Sequence, residues 1–304
     1  MPAPRPVEVR YSDAVAADLK RAARLDRREL RGILEMLNKA RREVVDTVAT
    51  TDWKGAQREV AKRRIEAAMA DLAKALGLDI RKYQDRKWRT GATDTDALLE
   101  RFGGLAERIG QPLSTERLRA LKALGLEQVV DVTERSRQKA ATIMRLGALA
   151  DKSPHEVIQE LGRSIVGKNG APSAGIWGDV ITRAEVIYRT EGNRVYSTAT
   201  QARMEQHERV RPGLLKTWMH SLNDPGRPSH IRAADDYAPG GDPGPIPVAE
   251  PFILRVQSDE AKSGLPAGEY RAMYPRDPSL PAGLSVSCGC VSSPYRNEWG
   301  DGEA

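Results

Sequence analysis

The sequence predicts a mainly α-helical protein with a small C-terminal α+β module, in which long N-terminal helices precede a loop-rich domain with few short strands. Aromatic residues make up only 5% of the 304 residues, and phenylalanine occurs only at Phe102 and Phe252. Apolar residues recur at three- and four-residue steps through most of the first 200 positions, the spacing of one helix face. After about residue 212 the composition changes, because 13 of the 19 prolines lie there. That change favours turns and short strands.

The N-terminal helices are predicted from apolar spacing and from residues that begin or end helices. Residues 1–10 hold three prolines, which favours an extended arm. Thr51-Asp52 is an N-cap signal that separates a first helix from a second, and the second is expected to end near Gly77. Gly91 to Asp94 is expected to be a linker. Helices are predicted at 13–48, 52–77, 96–109, 114–124, 127–150, 154–161 and 178–208, with a loop at 167–173.

These boundaries divide the chain into four regions. An extended arm (1–10) is followed by an N-terminal helical region (11–92) and a central helical region (93–175). The C-terminal module covers 176–304 and begins with the long helix, which Pro212-Gly213 terminates. Strand-like segments follow within it at 214–219 and 284–291.

The chain is mildly basic, with a net charge of +6 and a pI of about 9.3. Its most basic stretch runs from Lys54 to Arg89 and includes Tyr83 and Trp88. Two interpretations stay open: contact with phosphates and bases of nucleic acid, or a solvated helix face with two buried rings. The candidate nucleic-acid-facing residues are Arg63, Arg64, Arg81, Lys82, Arg86, Lys87 and Arg89.

The cysteine content and the apolar runs bear on the compartment. Cys288 and Cys290 are the only cysteines and are one residue apart. This excludes a disulfide framework and suits a reducing cytoplasm. No apolar run resembles a signal peptide or approaches 18 residues. We therefore expect neither a signal peptide nor a membrane span.

The long helix 178–208 carries a carboxylate on its apolar face. Glu191 lies between Ile187 and Val195 on that face, where an apolar residue is expected. A buried carboxylate needs a partner. Arg189 and Arg194 are expected to point to other faces, so the later module should supply it. Glu191 could anchor a loop or act in catalysis.

Three residues of the module have metal-ligating chemistry. His230 is expected in the first turn of a short helix after an Asp-Pro-Gly turn. Cys288 and Cys290 should project from the same side of a strand over 287–291, because residues i and i+2 share a face. They are three of the four ligands of a tetrahedral zinc site, with Asp224, Asp235 or Glu191 as the fourth. The alternative is two buried thiols and a histidine hydrogen-bonded to an acid.

Six motifs follow one another over about 110 residues of the C-terminal module, and together they resemble the phage Mu F-like head morphogenesis family. The resemblance is marked by an R-T-E helix, a tryptophan strand, a turn with Asp, Arg and His, an acidic-Pro-Phe element, a "YPGDP" segment and a closing Cys-x-Cys. In this chain these are Arg189-Thr190-Glu191, Trp218, Asp224 to His230, Glu250-Pro251-Phe252, Tyr274 to Pro278, and Cys288-Gly289-Cys290.

The chain departs from the family pattern at several positions. Arg276 stands where "YPGDP" has glycine, and Ser287 and Gly289 stand where Asn and Arg are usual around the cysteines. The loop at 239–247 and the segment 257–270 are longer than typical. The extra C-x-x-C of some relatives is missing, which weakens the case for zinc.

The resemblance implies a minor capsid protein, inside the head near the portal, that aids head assembly, DNA packaging or genome ejection. Its expected partners are the portal protein, the scaffold or major capsid protein, and packaged double-stranded DNA. Arg189, Glu191, Asp224 and His230 are expected to form a structural polar cluster. No G-x-S-x-G, Walker A, H-E-x-x-H or dinucleotide fingerprint occurs, so we do not expect an enzyme. A metal-assisted hydrolase or nuclease and a DNA-binding module remain the alternatives.

Overall fold

The computed structural model describes residues 7–51, 56–104, 109, 111–149, 176–220, 226–262 and 264–299. Within them the protein is mainly helical, with long N-terminal helices and a small C-terminal region of short antiparallel strands, as the sequence predicts. No helix in these ranges is both long and apolar enough to cross a membrane. The long helices are α1 (Val7–Thr50), α2 (Ala56–Gly103), α3 (Glu116–Leu149) and α4 (Ile176–Val210).

The C-terminal region consists of short elements. β1 (Leu215–Met219) lies between β2 (Ile246–Pro247) and β5 (Val291–Tyr295) in an antiparallel sheet, and Trp218 is opposite Ser292. A separate hairpin pairs Phe252 with Ala272. The remaining elements are α5 (Pro228–Asp236), β3 (Phe252–Val256), β4 (Gly268–Ala272), the single turn α6 (Ala282–Ser285) and a 3-10 turn (Asn297–Trp299).

Two predicted breaks are wrong, because α2 continues through both Gly77 and the expected linker at 91–94. At Gly91 a Cβ atom would lie 2.5 Å from the carbonyl oxygen of Tyr196. This glycine therefore allows the backbones of α2 and α4 to approach closely and does not mark a turn. Similarly, the predicted helices 114–124 and 127–150 form one helix, α3.

Other predictions fare differently along the chain. Helix 178–208 and the strand at 214–219 are confirmed by α4 and β1. The predicted arm is wrong from Val7 onward, where α1 begins, while residues 1–6 lie outside the described residues. The predicted helix 154–161 and loop 167–173 also lie outside them.

The strand predicted at 284–291 is wrong. Residues 282–285 form the turn α6, and the strand β5 begins only at Val291. Ser287 has a φ of 55°, in the left-handed region that strands do not use. The backbone N–H of Cys288 donates to Ser285 O at 3.3 Å, so the cysteines follow a turn.

The chain divides into two compact units, and each has its own core. The first unit comprises Met1–Leu25, Gln84–Leu121 and Thr190–Ala304, and the second comprises Asp26–Tyr83 and Lys122–Arg189. The largest core of the second unit consists of aliphatic and small side chains with Tyr83 and Tyr188. The first unit includes the C-terminal core, to which Trp218, Phe252, Leu284, Cys288 and Cys290 belong.

Candidate metal centre and its polar surroundings

The His230 side chain is fixed at the beginning of α5. Pro228 occupies the first turn, where its missing N–H costs no hydrogen bond. The backbone N–H of His230 donates to Arg227 O at 2.9 Å. The imidazole meets the Trp218 ring edge-on, with centroids 5.4 Å apart. His230 therefore lies in the first turn of a short helix, as predicted. The contact with Trp218 helps to orient its imidazole ring.

Both thiols face this imidazole. Cys288 Sγ lies 3.4 Å and Cys290 Sγ 3.5 Å from His230 Nδ1. The three possible ligand atoms lie within 4.8 Å of one another, and all three residues are buried. The prediction that both thiols point the same way agrees with this arrangement, although a turn produces it and not a strand.

The electrostatic surroundings favour one thiolate. The pKa of the Cys288 thiol is lowered well below its usual value, chiefly by the hydrogen bond with Cys290 and further by His230 and the Arg276 charge. The pKa of the Cys290 thiol is raised by the same pairing and by burial. Cys288 Sγ also accepts the backbone N–H of Cys290 at 3.4 Å. A second thiolate needs further positive charge, which a divalent metal ion supplies.

The His230–Cys288–Cys290 cluster can therefore hold a metal ion. Soft thiolates together with an imidazole are the donor set of zinc sites. His230 Nε2 is buried and has no hydrogen-bond partner in the described ranges. Of the predicted fourth ligands, Asp224 lies outside the described residues, and neither Asp235 nor Glu191 belongs to the cluster.

Of the predicted polar cluster of Arg189, Glu191, Asp224 and His230, the first two pair with other residues, and Asp224 lies outside the described residues. Arg189 is exposed and pairs with Glu185 at 2.9 Å. Glu191 is paired with Arg194, three residues further along α4, so the expectation that Arg194 points elsewhere is wrong. Residues i and i+3 of a helix are neighbours. Burial raises the pKa of Glu191 despite the opposing effect of Arg194.

A residue that the sequence analysis did not select connects α4 to the cysteines. The Arg276 guanidinium donates to Cys288 O and to Ser197 Oγ, the latter at 2.8 Å. Its carbonyl accepts from Arg194 Nε at 3.1 Å. Ser287 N donates to Thr190 Oγ1 at 3.1 Å. The helix with the R-T-E motif is thus hydrogen-bonded to the turn that carries both thiols.

Arg276 occupies a backbone conformation that arginine rarely adopts. Arg276 has a φ of 66°, a left-handed conformation that favours glycine. A glycine would fit this position without strain. Here an arginine occupies it. Its side chain is buried, and the guanidinium donates hydrogen bonds to Cys288 O and Ser197 Oγ. The glycine of the "YPGDP" pattern could have indicated this conformation. Nothing in the sequence indicated that the Arg276 side chain donates a hydrogen bond to Cys288 O.

Lys216 is another buried cation of the same unit. Lys216 Nζ donates to Met273 O at 2.7 Å and to Gln201 Oε1 at 3.3 Å, and it lies 4.8 Å from the centroid of the Phe252 ring. Burial lowers its pKa to about 7. Both hydrogen-bond partners are neutral, and no carboxylate among the described residues pairs with it directly.

The candidate nucleic-acid-facing residues differ in exposure. Arg63, Arg64, Arg81, Lys82 and Arg89 are exposed, whereas Arg86 is half-buried. Lys87 is buried and donates to Asn193 Oδ1 at 3.1 Å, so it does not face a nucleic acid. Tyr83 and Trp88 are buried as well. Base stacking on these two rings is therefore excluded.

Comparison with known proteins adds no relative. No protein-family model matches the chain, and no curated protein or solved structure matches it either.

Proposed function

We propose that the chain is a minor structural protein of a tailed-phage head, located inside the capsid near the portal, where it aids head assembly, DNA packaging or genome ejection. The observation that carries this proposal is the convergence of the motif residues. Trp218, Phe252, Cys288 and Cys290 come from distant segments and share one core. Trp218 packs edge-on against both His230 and Phe252. Motif residues that pack into one core depend on one another, so we expect the motifs to occur together in related proteins.

The proposed partners are the portal protein and the scaffold or major capsid protein. Co-expression of the full chain with the portal protein of the phage proposed to encode it tests this. We expect the chain to co-elute with the portal ring in size-exclusion chromatography, and a portal ring from an unrelated phage is the matched control. Failure to associate with portal, scaffold or shell during assembly contradicts the proposal.

Zinc is the ion that we propose for the His230–Cys288–Cys290 cluster, in a structural role. Two cysteine sulfurs and an imidazole nitrogen supply three soft or borderline ligands. The hydrogen bond from Cys290 N to Cys288 Sγ and the charge of Arg276 stabilise the Cys288 thiolate, one of the two thiolates that zinc would bind. A zinc ion here would join α5 to the turn before β5.

Cobalt substitution tests this site with a spectroscopic readout. Co²⁺ added to the metal-free full chain should give a thiolate-to-cobalt absorption band in the near ultraviolet, which Zn²⁺ abolishes. Cys288→Ser and His230→Ala should weaken or remove the band. His220→Ala is the control, because His220 is half-buried and outside the cluster. No band with the wild-type chain contradicts the site and leaves the head assignment standing.

The hydrolase alternative is not supported by the geometry. A catalytic metal keeps an open position for water or substrate. His230, Cys288 and Cys290 are between 1% and 3% exposed. A substrate does not reach ligands that are buried to this degree, so we propose no catalytic role for them.

A further inference from the structure

The net charge of the chain belongs entirely to one of its two units. The second unit contains 24 Lys and Arg against 18 Asp and Glu, a net charge of +6. The first unit contains 24 of each and is neutral. The mild basic character of the sequence is therefore a property of the helical second unit.

Much of this charge is displayed on the outer face of α2. Arg63, Arg64, Lys74, Arg81 and Lys82 are all exposed. Arg63 and Arg64 precede Arg81 and Lys82 by 18 residues, which is five helical turns and about 27 Å along the axis. The two pairs therefore project in the same direction. The opposite face of α2 packs into the core through Ile65, Leu72 and Leu76.

These five cations are not neutralised within the described residues. None of them makes an ion pair there, whereas nearby Lys62 pairs with Glu59, and Arg137 pairs with Glu66 and Glu134. Between Arg63 and Lys82 the one fully exposed acid is Asp71. A purely solvated helix face usually alternates acids and bases at three- and four-residue spacing. This face instead leaves a row of unpaired cations.

We infer that the outer face of α2 binds the phosphate backbone of duplex DNA without sequence specificity. Lys and Arg contacts to phosphates supply most of non-specific DNA affinity. A membrane surface is disfavoured, because Val60 and Leu78 are the exposed large apolar residues of this helix and interfacial helices need a broad apolar face. An acidic protein is disfavoured because interface centres are poor in charged residues. The inference rests on charge and exposure and is independent of the head assignment.

Salt-dependent binding to a 30-base-pair duplex tests it. The full chain should bind with a logarithmic salt slope of about −4.5 if five phosphates are contacted. The variant R63E/R64E/R81E/K82E should lose at least about 100-fold in affinity at 100 mM salt and most of the slope. The matched control is R119E/R209E/K262E/R271E, which changes the net charge equally at exposed positions of the first unit and should bind as the wild type does.

Each alternative outcome overturns the inference. Equal loss in both variants means general charge attraction and not a surface on α2. No salt-dependent binding by the wild type means a solvated face. Stronger binding to vesicles with anionic lipid, or to poly-glutamate, identifies a different partner. Far-ultraviolet circular dichroism of both variants verifies that they remain folded.

Discussion

The two units of the protein place their ionisable groups in opposite ways. The described core of the second unit contains no buried charged residue, and its buried polar side chains are Thr133 and Ser136. The first unit is neutral overall but buries Glu191, Arg194, Lys216 and Arg276. The second unit is therefore stabilised by apolar burial, and its charged residues lie at the surface. Substitutions at that surface should be tolerated. The first unit depends on specific polar partners, which specify one arrangement.

The largest expected effect comes from breaking a buried ion pair in the first unit. Arg194→Met should destabilise the protein by about 3–5 kcal/mol, because it leaves the Glu191 carboxylate buried without a cation. The double variant Glu191→Gln, Arg194→Met should recover at least half of that loss. Urea-induced unfolding of the four proteins in the cycle measures both values. Equal losses in single and double variants would show that the pair is not coupled.

A core truncation in the second unit should act through lost apolar burial and cavity formation. Leu37→Ala is expected to lower the free energy of unfolding by about 2–4 kcal/mol, because Leu37 is fully buried among aliphatic side chains. Leu37→Met is the control and should cost less than about 1.5 kcal/mol. If both variants cost the same, shape and not volume determines the packing of this core.

The Lys216→Met variant should be more stable than the wild type at neutral pH. Burial lowers the folded-state pKa of Lys216 to about 7 from 10.5, so the unfolded chain binds the proton more tightly. The stability of the wild type therefore rises as pH increases from about 7 to 10.5, and the Met variant lacks this rise. The charges of Glu205, Asp277 and Glu250 oppose the shift. The gain should be about 2 kcal/mol at pH 7 and should shrink toward pH 10.

Substitutions at Arg276 separate backbone strain from side-chain bonding. Arg276→Gly and Arg276→Ala both remove the bonds to Cys288 and Ser197. Only glycine adopts the left-handed φ without strain. The glycine variant should therefore be the more stable of the two by about 1 kcal/mol. Thermal unfolding compares them, and a more stable alanine variant would contradict the assigned conformation.

The smallest effect is expected at the surface of the second unit. Hydrogen bonds from Arg137 and Gln138 lower the pKa of Glu134 to about 2. The Glu134 side chain is 44% exposed and lies at the surface, so Glu134→Gln should leave the urea midpoint unchanged. A clear shift of the midpoint would show that exposed charge contributes to this unit more than the comparison implies.

The sequence predicted the regular parts of the fold because they follow apolar periodicity. Helix α4 and strand β1 agree with their predictions. Gly77 and Gly91 were misinterpreted because an isolated glycine has two explanations, a turn or a close approach, and only the position of a distant helix decides between them. Gly91 lies against Tyr196, more than 100 residues away.

The sequence allowed the three candidate metal-binding residues to be predicted, but not the backbone turn and buried side chains that position them. His230, Cys288 and Cys290 converge as their chemistry indicated. The turn that carries both cysteines depends on a left-handed backbone conformation at Ser287. A serine in the sequence does not indicate that conformation. The Glu191–Arg194 pair was available from i,i+3 spacing and was missed, because the helix faces were assigned incorrectly. Arg276 and Lys216 are recognisable only from their buried environments.

The most direct test of the proposed role is peptide mass spectrometry of gradient-purified heads and tails of the tailed phage that, under the proposal, encodes the chain. The account predicts peptides of this protein in the heads, at a small fraction of the major capsid protein, and none in the tails. Heads that lack the protein, at a sensitivity of one copy per particle, would contradict it.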